Sequence, residues 1–68
     1  MPSGRVKWFD KKKGYGFIIP DDGGSDVFVH YTGIDGEGFR ILQENQTVEY
    51  ELTDGRRGKI ATKVKIAD

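Results

Sequence analysis

Alternation of apolar and polar positions divides the chain into five short segments of β period. In the first, residues 4–10, Val6 points to one side and Arg5 and Lys7 to the other. Trp8 and Phe9 are consecutive rings that strict alternation cannot place together, so a bulge or strong twist is expected near Trp8. Residues 10–14 read as a turn: Lys11, Lys12 and Lys13 make it basic, and Gly14 can take positive φ. A second strand over 15–19 ends at Pro20, and Asp21-Asp22-Gly23-Gly24 is a turn signal. The third strand covers 26–30. The fourth, 47–53, turns Val48, Tyr50 and Leu52 inward and Glu49 and Glu51 outward. After a turn at 54–58, with Arg56 and Arg57 at its tip, the fifth strand runs over 59–66. Its alternation predicts Ile60, Thr62, Val64 and Ile66 inward and Lys59, Lys63 and Lys65 outward. Residues 31–45 have no period: Gly33, Gly36 and Gly38 interrupt them, and Phe39, Ile41 and Leu42 are the residues able to anchor them. A connection this long in a compact domain is commonly functional. No window has helical spacing, and no repeat, linker or low-complexity stretch occurs.

The second and third strands depart from the usual pattern. In Lys13-Gly14-Tyr15-Gly16-Phe17-Ile18, Tyr15 and Phe17 share one face while Gly16 and Ile18 share the other. In Val27-Phe28-Val29-His30, Phe28 and His30 share one face while Val27 and Val29 share the other. The side that should be polar carries flat rings instead. A core of Val6, Ile18, Val27, Val29, Ile34, Val48, Leu52, Val64 and Ile66 can be built from the aliphatic faces alone, without Tyr15, Phe17, Phe28 or His30. Five short strands make a poor open sheet at this size, and closing them removes exposed edges. The expected fold is all-β: a five-stranded antiparallel barrel of the oligonucleotide-binding type, whose ligand face lies on strands two and three.

Composition narrows the choice. A chain of 68 residues is read as one domain, 1–68. A domain of this size buries only about 60% of the surface its unfolded chain exposes, so outward rings need a reason. There is no cysteine for a disulfide or a thiolate metal site, which suits a reducing, cytoplasmic setting. No apolar run approaches the roughly 20 residues of a membrane helix, and strand-like sequence directly after Met1-Pro2-Ser3-Gly4 speaks against a signal peptide. The net charge is zero, but it is unevenly spread: +4 over residues 1–20, −8 over 21–54 and +4 over 55–68. If the fold gathers both ends on one side, that side is basic. Rings with lysines beside them suit stacking on unpaired bases.

The two ring-bearing strands resemble the paired ribonucleoprotein motifs of the cold-shock domain family. Lys13-Gly14-Tyr15-Gly16-Phe17-Ile18 is similar to the first and Val27-Phe28-Val29-His30 to the second. Lys7-Trp8-Phe9 before them and Gly36-Glu37-Gly38-Phe39 after them complete the likeness, which runs from Gly4 to about Val64. The resemblance implies a barrel that binds single-stranded RNA and DNA without catalysis. It also implies an RNA chaperone that keeps RNA unstructured, in cold adaptation and in regulation of transcription and translation. It implies bases stacked on Trp8, Tyr15, Phe17, Phe28, His30, Tyr31 and Phe39, with Lys7, Lys13 and Arg57 near the strand's backbone. Asp26 is implied at a base edge, and Phe9 and Asp10 complete the candidate set. The chain departs from the family pattern in four places. Asp10 stands where asparagine is usual, Tyr15 and Tyr31 where phenylalanine is commoner, and Lys59-Ile60 replaces a proline-containing step.

Other readings have less support. A second core face would also account for the rings, but the aliphatic faces already fill a small core. Trp8 is open in its facing, and Phe39 either anchors its loop or swings onto a base. A lone histidine without cysteine partners makes no zinc site, and no nucleophile accompanies it. Gly14-Tyr15-Gly16 lacks the third glycine and the helix of a dinucleotide fingerprint. Asp21, Asp22 and Asp26 do not follow the calcium-loop pattern. No metal, cofactor, small-molecule substrate or membrane is expected, and a monomer is. An RNA-recognition motif needs two helices and the opposite motif order. The reading from another class is a protein-interaction barrel docking a peptide on its aromatic face. Lysines rather than acids beside the rings weigh against it. Outward Glu49 and Glu51 are expected opposite Arg5 and Lys7, since the first and fourth strands pair in the family's barrel.

Overall fold

The aliphatic faces turn inward and the strands close around them. The computed structural model describes residues 2–35, 41–55 and 58–67. Its strands are β1 (Ser3–Asp10), β2 (Tyr15–Pro20), β3 (Val27–His30), β4 (Thr47–Gly55) and β5 (Gly58–Ile66). They form a closed barrel in the order β1-β2-β3-β5-β4. All neighbours are antiparallel except β3 and β5, which run parallel, with Phe28 opposite Ile60 and Val29 opposite Ala61. A three-residue 3-10 turn, Tyr31–Gly33, follows β3, a short element that the glycine-broken stretch did not predict.

Val6, Ile18, Val27, Val29, Ile34, Val48 and Val64 are buried as expected, and Leu42 and Tyr50 join them. Among the described residues of the long connection, Ile34 and Leu42 anchor it to the core, while Ile41 stays exposed. Phe39 lies outside the described residues. Burial pushes the Tyr50 hydroxyl above its ordinary pKa of 10.0, and the charges of Asp22 and Asp21 push it further.

Two positions correct the expected core. Leu52 is 43% exposed and Ile66 54% exposed, while Ala61 is buried. Ile66 lies opposite buried Val48 at the very end of β5, where nothing covers it among the described residues, and Ala61 is turned inward by a bulge. Lys65 pairs with Glu49 but Thr62 with Glu51, so β5 spends one residue more than β4 over this interval. Lys63 takes φ +51°, and the alternation changes phase there. Ala61 and Val64 therefore both face inward, and Ile60 and Thr62 are only partly buried. Leu52 does lie opposite inward Ala61. However, β4 pairs with β1 only over Thr47–Glu49, which leaves Leu52 beside an open edge.

The bulge expected near Trp8 is present. Val6 lies opposite Ile18 but Trp8 opposite Phe17, so Lys7 is the extra residue of β1. That single insertion sends Val6 inward and Trp8 outward, and leaves Phe9 packed against the core. Gly16 is required by the same crossing. A Cβ there would collide with the Trp8 carbonyl oxygen and lie 2.8 Å from the Phe9 Cα.

Candidate functional site

The outer faces of β1, β2 and β3 hold a continuous group of rings. Cross-strand register sets Trp8 opposite Phe17, and Phe17 opposite Phe28. Trp8 meets Phe17 edge to face at a centroid distance of 5.3 Å, and Phe17 meets Phe28 at 5.7 Å. Tyr15 closes the group, 5.9 Å from Trp8 and 5.7 Å from Phe28. Such pairs contribute about 0.5–1.5 kcal/mol each beyond area burial, so the rings hold one another in place before any ligand arrives. Trp8 is 39% exposed, and Tyr15, Phe17 and Phe28 are half-buried, while Gly16, Ile18, Val27 and Val29 behind them are buried. The rings are thus a wet surface layer over a separate aliphatic core. They line a shallow hollow of about 770 Å³ whose far wall is Lys59 and Ile60.

His30 and Tyr31 form a second ring pair, 4.6 Å apart, where β3 ends. His30 stands directly opposite Tyr15. Tyr31 is tied to the lysine turn, because its backbone N–H donates to the Gly14 carbonyl at 2.8 Å. Gly14 has φ +80°, and a Cβ there would lie 2.7 Å from the Tyr31 ring. The absence of that side chain lets the ring pack against the turn. Lys13 is exposed in this turn, next to the ring pair.

Asp10 builds the turn that carries the lysines. Its Oδ1 accepts from the backbone N–H groups of Lys12 and Lys13, at 2.9 and 3.1 Å. Its backbone carbonyl accepts from Gly14 at 2.7 Å. An asparagine would supply the same acceptor without the charge, so the turn itself does not need the carboxylate. Phe9 is placed away from the ring group, against the core. Arg57 and Phe39 lie outside the described residues.

Lys7 does not face Glu49 or Glu51. Its Nζ is 2.9 Å from Asp26 Oδ2, which joins the bulge of β1 to the residue just before β3. In the β1–β4 pairing, Arg5 lies opposite Thr47 and Glu49 opposite Ser3, which corrects the expected partners. Glu51 lies 3.7 Å from Lys63 instead. The bulge accounts for this, since it swings Lys7 towards the start of β3. Lys59 is the site residue that the sequence reading left as merely outward. Only the parallel β3–β5 pairing carries it to the rings, and no local pattern announces that pairing. Of the basic ends, Lys59 lines the ring hollow and Lys13 lies in the turn before β2, neither in an ion pair among the described residues, while Lys7 and Lys63 are paired.

Residues 2–67 match the family described as the 'Cold-shock' DNA-binding domain. The chain belongs to the cold-shock domain family. It is 58% identical over 65 residues to "Probable cold shock protein A" of Mycolicibacterium smegmatis, covering 96% of this chain and 97% of that one. It is 55% identical over 65 residues to "Cold shock-like protein" of Thermotoga maritima, with the same coverage. It is 54% identical over 61 residues to "Cold shock-like protein CspC" of Escherichia coli, covering 90% and 88%. A cold-shock domain is a nucleic-acid-binding domain and not an enzyme. No described helix is long and apolar enough to cross a membrane.

For a cold-shock domain the Lys7–Asp26 pair has a measurable consequence. Both side chains are about half exposed, so the pair adds little to stability. It does offset the charge that Lys7 would offer a phosphate. Asp26→Asn keeps an acceptor and frees the lysine. The dependence of log affinity on log salt for a single strand should steepen by about 0.7, the increment for one further neutralised phosphate. Titrations between low and moderate salt read this directly; an unchanged slope would show that Lys7 is already free for the ligand.

Proposed function

We propose that the chain binds single-stranded RNA and DNA on the face formed by Trp8, Tyr15, Phe17, Phe28 and His30, with little sequence preference. In this reading it works as an RNA chaperone in the cytoplasm, holding strands open in the cold and thereby influencing transcription and translation. One observation carries the reading: the rings are packed on each other yet remain partly wet, outside an aliphatic core that is complete without them. Every base has a face to stack, which explains tolerance of sequence. Duplexes hide those faces. In this reading Lys13, Lys59 and Arg57 supply charge along the strand's path, with Lys7 offset by Asp26, and one barrel holds the whole ring row, so the binding unit is a monomer.

Trp8 is the chain's single tryptophan and stands in the ring group, so its fluorescence reports occupancy. A short single strand should quench it at concentrations where a duplex of the same composition does not. About three neutralised phosphates give a slope near −2 in log affinity against log salt. Equal affinity for duplex and single strand would contradict the proposal.

A further inference from the structure

Thr32 makes two contacts with one nitrogen of the His30 ring. The Thr32 backbone N–H donates to His30 Nδ1 at 3.3 Å, and Thr32 Oγ1 lies 2.9 Å from the same nitrogen. A backbone amide can only donate, so the Thr32 N–H favours an Nδ1 that accepts and carries no proton, while the shorter contact with Oγ1 fits either tautomer. The neutral imidazole then has its hydrogen on Nε2. The Thr32 hydroxyl can turn its own proton to Nδ1 and add to this preference.

The arrangement is held from several sides. His30 is the N-cap of the 3-10 turn Tyr31–Gly33. The turn is fixed by the Tyr31 N–H on the Gly14 carbonyl and by the Ile34 N–H on the Tyr31 carbonyl at 3.2 Å. A bridge from Ile34 to Val64 ties its end to β5. The Tyr31 ring, tilted 38° to the imidazole, packs beside it. His30 shares its strand face with Phe28, and among the described residues Nε2 has no hydrogen-bond partner.

We propose that His30 is a fixed hydrogen-bond donor through Nε2–H, which reads an acceptor oxygen of the bound strand, in addition to offering a flat ring. This rests on the single-strand reading given above. A histidine free to exchange its proton between nitrogens would accept or donate as the ligand required. With Nδ1 held by Thr32 only donation remains, so the position favours a base carbonyl or a phosphate oxygen over an exocyclic amino group. Fixing the donor in advance also reduces the ordering cost of forming the bond.

The test uses His30→Phe, which keeps a ring for stacking and removes the donor. A seven-residue oligothymidylate should bind this variant about three- to tenfold more weakly than wild type, the value of one ordinary hydrogen bond. A purely stacking role predicts equal or tighter binding by phenylalanine. Two modified strands separate the sources of the acceptor. If thymine carbonyls are read, the wild-type advantage should vanish on a strand of thio-substituted thymines, whose sulfur accepts weakly. If phosphate is read, it should vanish on a methylphosphonate strand. An advantage unchanged on both would overturn the inference. Long-range proton–nitrogen NMR of the wild-type imidazole, in its neutral form, gives an independent reading. Hydrogen on Nε2 is expected, and hydrogen on Nδ1 would overturn the inference. Wild-type protein that binds no single strand would defeat the ring-face reading and this inference with it. Wild-type binding matched by His30→Phe would defeat this inference alone.

Discussion

Ile18→Ala should cost about 2–5 kcal/mol of folding stability. Ile18 is fully buried, opposite Val6 on one side and Val27 on the other. Its neighbours are mostly β-branched residues on strands that the barrel closes at both sides, so they cannot collapse into the space an alanine leaves. A chain of this length has a total margin of roughly 3–10 kcal/mol. The substitution therefore consumes much or all of it. Denaturant melts should show the midpoint shifted strongly downwards. Protein that remains folded should bind a single strand almost normally, because Ile18 faces away from the rings. A loss below about 1 kcal/mol would mean that the aliphatic face is not the core.

Gly16→Ala should be damaging for a different reason. The new methyl would run into the backbone of β1, at the Trp8 carbonyl and the Phe9 Cα. A crowded side chain can change rotamer, but a carbonyl within a strand ladder cannot move without breaking its register. Overpacking usually costs about 1–3 kcal/mol, and a clash with backbone belongs at or above the upper end of that range. Because Phe9 pairs with Gly16 immediately after the Lys7 bulge, relief must come from displacing the segment that aims Trp8 outward. Stability and the Trp8 emission of the folded state should change together. A variant with wild-type melting and wild-type emission would show that β1 and β2 are farther apart here than the structure places them.

The parts legible in the sequence are those set by short-range alternation. The two faces of β2 and β3 follow from Tyr15 to Ile18 and from Val27 to His30. The bulge at Lys7 follows from the adjacent rings of Trp8 and Phe9, which no regular strand can serve. The second bulge had no such signal. Residues 59–66 alternate well as written, and only Lys63 at positive φ reveals that the phase changes. That is why Ala61 takes the inward place expected of Ile60 and Thr62, whereas Ile66 keeps the phase of Val64 and is exposed at the end of its strand. Long-range register was equally hidden. The approach of Lys59 to the rings depends on parallel pairing of β3 with β5. The Lys7–Asp26 ion pair depends on the direction in which the bulge swings a side chain. Neither spacing nor composition encodes these. The 3-10 turn at Tyr31–Gly33 is too short to show a period, and its cap, His30 with Thr32, is an unusual one for sequence rules that look for Ser, Thr, Asp or Asn.

The central claim is that the rings are a binding surface and not a second core. Oligothymidylate titrations and denaturant melts on Phe17→Ala and Phe28→Ala test it most directly. Each ring packs on its neighbours, so truncation should cost some stability, but clearly less than the about 3–5 kcal/mol typical of a buried phenylalanine. Each variant should lose about 1–3 kcal/mol of affinity for the single strand. The opposite pattern, with both variants largely unfolded and their folded fraction binding as tightly as wild type, would contradict the account.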